Sequence, residues 1–431
     1  MAGLDGSRDA SGHLVGNRNV ADVVEQTPLA EQSNRRNEFD TDSVNLQING
    51  WLKSLGLDFN PFFALNAAVD PHLSEYLIGN DVFKAIWGNW NSFVFEPAGG
   101  GKTALRVQTA QACWETQDIN RPFPIPYNPP FLKWETIKPS LDDHLAEIAI
   151  AAAEQLFLGL SHRPHWFLEM NRTAQERIGE LLARILSVDW LAYHLDELAE
   201  TNPLQALKLE LDPTFNAPDP PGSAALDQFC TSLRSTLEGS IPASGQPELL
   251  WASLAELLVQ QLKFPAIYLL LDGLDTTYET ASDPHTAIAA LTPLFALIPT
   301  WSTQLKIFVK GFLPAETKAE FHRQAAIFAI HPRIASINWD QGKLAELVRR
   351  RAFVASKGQF NSLDAIVTPD LRDFETLLVE EIVALRPREI LTLINEIFAA
   401  HTRNNGQTGK IDETDWQEGL LVYKRDAFAL S

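Results

Sequence analysis

The chain carries only two cysteines in 431 residues, Cys113 and Cys230. Two thiols cannot build a disulfide framework or a thiolate metal site, and such scarcity suits a reducing compartment. Basic residues are also in deficit, with 35 Lys and Arg against 55 Asp and Glu and a formal net charge of -20. A nucleic-acid surface needs clustered Lys and Arg, so this balance argues against a nucleic-acid partner while leaving room for a small local patch. Long apolar runs are missing. The most apolar stretches, around Ile148–Leu160 and Pro265–Leu271, are too short or too charged to span a bilayer, and Met1–Val20 is polar without an apolar signal core. No internal repeat is evident. The expectation is a soluble, cytoplasmic protein with no membrane partner.

What is present is a globular composition, 45% hydrophobic and 10% aromatic, long enough for two or three domains. The most informative stretch is Phe93-Val94-Phe95-Glu96-Pro97-Ala98-Gly99-Gly100-Gly101-Lys102-Thr103-Ala104-Leu105-Arg106. An apolar run, a glycine loop and a helix-forming run follow one another. Glycines let backbone N–H groups curl around an anion at a helix N-terminus, where the dipole favours negative charge. Residues Pro97 to Ala104 are thus the expected nucleotide cradle. In it Lys102 reaches the β- and γ-phosphates and the Thr103 hydroxyl ligates Mg²⁺. One position departs from G-x-x-x-x-G-K-[ST]: Glu96 stands where the first glycine belongs.

The second informative stretch is Phe264-Pro265-Ala266-Ile267-Tyr268-Leu269-Leu270-Leu271-Asp272-Gly273-Leu274-Asp275. Continuous apolar residues ending in an acid describe a buried parallel strand with a carboxylate at its C-terminal edge. In a phosphate-loop protein that is where Mg²⁺ sits, so Asp272 is the expected metal-side carboxylate. Asp275 is placed to hold the metal's water or to polarise an attacking one.

Taken in order, residues 1–45 read as a polar, disordered arm. Leu46–Leu57 reads as a short amphipathic helix stopped by Gly56, and Asn60-Pro61-Phe62 as a sharp turn with an aromatic anchor. Asp70–Trp87 looks helical, Asn91–Phe95 is the first core strand, and the helix after the glycine loop runs to about Gln117. Prolines within Arg121–Pro130 confine that segment to a sheet edge. Helices are expected over Leu141–Leu160, Asn171–Ala199, Ala225–Leu237 and Glu248–Leu262, with a proline-marked loop at Asp212–Ser223. The block 141–262 exceeds what a crossover needs and reads as a helical insertion without chemistry of its own, more a cover for the sheet than a partner surface. Thr286–Leu297 is a helix, Leu305–Phe312 a strand interrupted by Lys310, and Ile334–Trp339 a candidate last strand. Lys310 either snorkels to solvent or reaches the nucleotide. From Gln341 four helices follow: Gln341–Ser356, Asp370–Ala384, Arg386–His401 and Glu413–Tyr423. The run Arg349-Arg350-Arg351 reads as facing solvent or lid.

Strand, glycine loop and Lys-Thr, then Leu-Asp-Gly-Leu-Asp, then a strand with a basic residue and a helical tail, resembles the P-loop NTPases of the AAA+ and STAND kind. The match covers about Asn60–Tyr423. Asn60-Pro61-Phe62, Asp272-Gly273-Leu274-Asp275 and Arg386-Pro387-Arg388-Glu389-Ile390 are similar to bacterial stand-alone ATPases of that group. The resemblance implies an α/β fold with a parallel sheet in the order 5-1-4-3-2 flanked by helices. It implies an ATPase core over 46–340 and an all-helical C-terminal lid domain over 341–431. Gly99 to Thr103 then match the Walker A loop and Asp272 the Walker B acid. Lys310 falls where a sensor-1 residue is expected, and Arg388 where a lid arginine reads the γ-phosphate. Gly273 follows the Walker B acid where most AAA+ members carry a catalytic Glu, and Thr276 stands where many STAND proteins carry one.

The function implied is an ATP–Mg²⁺ switch of low intrinsic turnover that controls a separate effector or sensor protein, in bacterial defence or signalling. Homo-oligomerisation is left open. The alternative is an oligomeric AAA+ ATPase acting on DNA, of the initiator or transposition-loader type, against which the acidic balance counts. A third reading is a scaffold whose phosphate loop is a relic.

Overall fold

A computed structural model describes residues 44–78, 81–131, 138–200, 202–237 and 245–429. The expected arm falls outside the described residues, except that residues 44 and 45 begin the first helix.

Five strands form one parallel sheet: β1 (Ser92–Glu96), β2 (Phe123–Tyr127), β3 (Ile267–Leu271), β4 (Ile307–Pro314) and β5 (Arg333–Ala335). Their order is β2-β3-β4-β1-β5, which from the other edge is the expected 5-1-4-3-2. β1, β3 and β4 are buried along their whole length, as strands covered on both faces must be.

The alternation of side chains sorts the two faces. Phe93, Phe95, Ile267, Leu269, Leu271 and Val309 point into a large core that continues through the helices of 141–262. Val94, Tyr268, Leu270, Phe308 and Phe312 point the other way, against Leu105, Ala110 and Cys113 of the helix Lys102–Trp114. The insertion is thus core packed on one face of the sheet. The proline-rich strand holds the edge as expected. The Phe123 N–H donates to Ala266 and the Tyr127 carbonyl accepts from Asp272, both toward β3. Pro124 and Pro126, at the intervening positions, carry no N–H and sit where none is needed.

The C-terminal helices Gln341–Ala355, Phe374–Glu381, Pro387–Asn405 and Glu413–Ala429 share a separate apolar cluster. Ile48, Trp51 and Leu52 of the first helix (44–55), with Leu57 and Phe62, belong to this cluster. The segment expected to open the ATPase core therefore packs on the far end of the chain. Asn60 locks it there: its side chain accepts from the Phe62 N–H (3.0 Å), and the Asn395 amide donates to the Phe62 carbonyl (2.6 Å).

Other boundaries move for local reasons. Asp70–Trp87 is not one helix; among its described residues it has a short turn, Leu73–Glu75, and a helix, Asp81–Ile86. The Asp70 carboxylate takes the His72 N–H and the Tyr76 hydroxyl, tying the chain into a turn. Asn171–Ala199 breaks at Ser187, whose φ of 78° ends one helix and whose hydroxyl caps the next through the Trp190 N–H. β5 ends at Ala335, because the residues beyond it turn into the site below. Among the described residues no single helix is long and apolar enough to cross a membrane.

Helices Pro387–Asn405 and Glu413–Ala429 touch at Gly419, where an added Cβ would lie 2.6 Å from Ile397 Cα. Gly419→Ala is expected to destabilise the protein by about 1–3 kcal/mol through overpacking. Gly222→Ala, where a Cβ meets nothing within 4 Å, is the control for urea denaturation.

Candidate functional site

β1 ends at Glu96, and the loop Pro97–Gly101 turns into the helix Lys102–Trp114. Gly99 and Gly101 have φ of 75° and 96°, a region that only glycine enters without strain. Gly101 caps the helix with no side chain, so the first amides, from Lys102 onward, have no capping partner. They form a row of donors at the positive end of a helix dipole.

The Lys102 ammonium is 5% exposed and lies 3.1 Å from the Glu96 carbonyl, 3.3 Å from the Pro97 carbonyl and 3.2 Å from Asp275 Oδ2. The Thr103 hydroxyl donates to Asp272 Oδ2 at 2.8 Å. Asp272 follows β3, and the Gly273 N–H donates to its other oxygen at 2.9 Å. Arg106 joins them: its Nε lies 3.4 Å from Asp272 Oδ2, with both side chains buried. The contact is a close ion pair without hydrogen-bond alignment. Lys102, Thr103 and Arg106 are spaced to face the same way on one helix. Arg106 was the member missed on sequence; its place one turn beyond Lys102 is the signal that could have found it.

Glu96 fills a structural role at the position where glycine was expected. Its carboxylate accepts from the Ile337 N–H just beyond β5, and burial pushes its pKa up. Two residues later, Trp339 Nε1 donates to the Gly100 carbonyl at 2.8 Å. The glycine loop is thus held from the β5 side by Ile337 and Trp339. From the C-terminal side, the Arg388 N–H approaches the Gly99 carbonyl at 3.4 Å. A Cβ on Gly99 would meet Arg388 Cβ at 2.6 Å, so the helix Pro387–Asn405 starts directly against the loop.

These residues line a cavity of about 380 Å³, within the range of small-molecule sites. Its lining includes Lys102, Thr103, Asp272, Asp275, Trp339 and Arg388, together with Ala64–Ala68, Leu73 and Tyr76–Ile78. Arg351 also reaches it. Arg349 and Arg350 are exposed, but Arg351 is buried, 3.3 Å from Asp70, 4.2 Å from the centre of the Tyr76 ring and bonded to the Pro61 carbonyl. Of the two faces expected for this run, solvent or lid, Arg349 and Arg350 take solvent, while the buried Asp70 carboxylate draws Arg351 inward.

Lys310 does not join the others. It is level with Ser92, at the start of β1, and Pro314 is the residue level with Glu96. Four residues along parallel strands put it about 13 Å short of the loop. Its ammonium donates to the Gly88 (2.8 Å) and Trp90 (2.6 Å) carbonyls and lies 4.4 Å from the Tyr268 ring centre. Neither sequence alternative, solvent or nucleotide, holds: Lys310 is a fully buried brace at the opposite end of the sheet.

No protein-family model, no curated protein and no solved structure matches this chain.

Burial lowers the Lys310 pKa from 10.5 to about 7. Between these values the unfolded chain holds a proton that the folded protein lacks, so the Lys310 contribution to stability rises with pH across that window. In urea titrations, wild type is expected to gain on Lys310→Met as pH climbs from 7 toward 10. Parallel profiles would show that Lys310 stays charged in the fold.

Proposed function

We propose that this chain is an ATP-binding ATPase of the P-loop, STAND/AAA+ type, a switch that hydrolyses ATP slowly and controls a separate partner protein. The observation that carries the reading is that Thr103 and Lys102, at the uncapped start of a helix, meet Asp272 and Asp275 respectively, just beyond the C-terminal end of β3. A row of free amides beside a buried ammonium suits a polyanion. A hydroxyl and a carboxylate oxygen 2.8 Å apart are hard donors of the kind Mg²⁺ takes. Thr103 and Asp272 are the residues that would hold Mg²⁺, which when bound supplies charge neutralisation to the phosphates. The residues of Pro97–Ala104 would cradle the phosphates, and Leu73, Tyr76, Leu77 and Ile78 offer the apolar surface that a base requires.

Slow turnover follows from what flanks Asp272. Gly273 has no side chain, and the Thr276 hydroxyl is spent on the Gly273 carbonyl at 2.8 Å. Asp275 is the neighbouring carboxylate left to polarise water, and Lys102 holds it in an ion pair. A phosphate drawing Lys102 away would release Asp275, coupling occupancy to the availability of the base. Arg388, at the start of a C-terminal helix, provides the link from nucleotide to the helical unit, which acts as a lid in this reading. A role in bacterial defence or signalling rests on the resemblance of the motifs alone.

Lys102→Ala is expected to weaken ATP binding by about 10- to 100-fold, the loss of one or two charge-assisted contacts, with an unchanged circular dichroism spectrum. Asp272→Ala should remove the Mg²⁺ dependence of ATP affinity in isothermal titration. ATP binding that ignores Lys102, or that still tightens with Mg²⁺ in the Asp272 variant, would overturn the assignment.

A further inference from the structure

The helical insertion carries a second cluster with its own chemistry. His194 lies on the helix Val188–Glu197, 2% exposed, with its ring stacked on Trp190 at a centroid distance of 3.8 Å. Its Nδ1 is 2.9 Å from the Trp190 carbonyl. A carbonyl only accepts, so Nδ1 carries a proton and Nε2 is the ring nitrogen left to serve as a ligand. That Nε2 is buried and has no hydrogen-bond partner. It faces Glu210 Oε1 at 3.3 Å, from the next helix, Pro203–Leu211. Glu197, three residues after His194 on the same helical face, adds a second carboxylate. All three ligand atoms lie within 4.8 Å of one another.

One imidazole nitrogen and two carboxylates brought this close are the donor set of a divalent-ion site. A proton on Nε2 would give a charge-assisted bond, which ordinarily closes to about 2.7–2.9 Å and uses one carboxylate. The observed 3.3 Å instead fits the ligand–ligand edge of a tetrahedron with bonds of about 2.0–2.1 Å, roughly 3.3–3.4 Å. The supports behind the ligands also match: Nδ1–H is held by a backbone carbonyl, and the Tyr193 hydroxyl donates to Glu197 at 2.7 Å.

We propose that His194, Glu197 and Glu210 form a binding site for a divalent transition ion, Zn²⁺ in the first place, with water as fourth ligand. One imidazole and two carboxylates suit Zn²⁺, whereas Mg²⁺ and Ca²⁺ prefer an all-oxygen shell. The ion ties the helix Val188–Glu197 to the helix Pro203–Leu211 and so stiffens the insertion independently of the nucleotide site.

The test is titration of chelator-stripped full-length protein with Co²⁺, read by its visible absorbance, followed by Zn²⁺ competition. Thermal unfolding is measured with and without Zn²⁺. Wild type is expected to bind one equivalent at micromolar metal and to melt higher with Zn²⁺. Glu210→Gln, an exposed position that leaves the fold intact, should lose at least about 10-fold in affinity together with the melting shift. His194→Gln should lose the site altogether. Equal Zn²⁺ affinity in wild type and Glu210→Gln, or no binding by wild type at micromolar metal, would overturn the proposal.

Discussion

The buried carboxylate of Asp272 is the point on which the rest of the site depends. It sits at the end of a strand of continuous apolar residues, where the sheet offers it a backbone amide and little water. An isolated charge there would be costly, and two side chains from one helix face, Thr103 and Arg106, answer it. That pairing fixes the rotation of the helix Lys102–Trp114 on the sheet. It thereby fixes where Lys102 emerges and how its amides are aimed. The glycine loop connects β1 to the helix so placed, with Gly99 and Gly101 taking the positive φ of its turn.

A second constraint converges on the same loop from outside the sheet. Trp339 holds Gly100, Arg388 crowds Gly99, and Arg351 reaches the cavity while pairing with Asp70. Each comes from a segment whose neighbours pack in the C-terminal apolar cluster or lead into it. Because the first helix, 44–55, packs in that cluster too, the helical unit is clasped from both ends of the described chain. These contacts join the glycine loop to a unit with its own core, and the proposed switch would act through them.

Much of this was legible in the sequence. Continuous apolar strands ending in Glu96 and Asp272 announced a buried parallel sheet, and proline spacing announced its edge. Gly99–Thr103 and Asp272 were expected to meet on the strength of the motif resemblance, in which a glycine loop and a strand-end acid share one site. What was not legible depends on long-range pairing. Lys310 read as a sensor because it lies in a core strand near a resembling motif. Strand register, which puts it level with Ser92, is set by partners distant in sequence. Arg351 read as part of a charge run facing solvent or lid, since nothing local shows that Asp70 is buried beside it. The first helix could not be assigned to the C-terminal cluster from its own amphipathicity, which says that it packs but not on what. Glu96 broke the glycine pattern and yet keeps the loop in place, because its carboxylate is used by Ile337 after β5.

The most direct measurement is calorimetric titration of Mg²⁺-ATP into the purified wild-type chain, with phosphate release followed on the same samples at rising protein concentration. A Kd in the range of about 1 µM to 1 mM, usual for nucleotide enzymes, with turnover far below the usual ~10 s⁻¹, is the predicted result. Absence of ATP binding at millimolar nucleotide would contradict it.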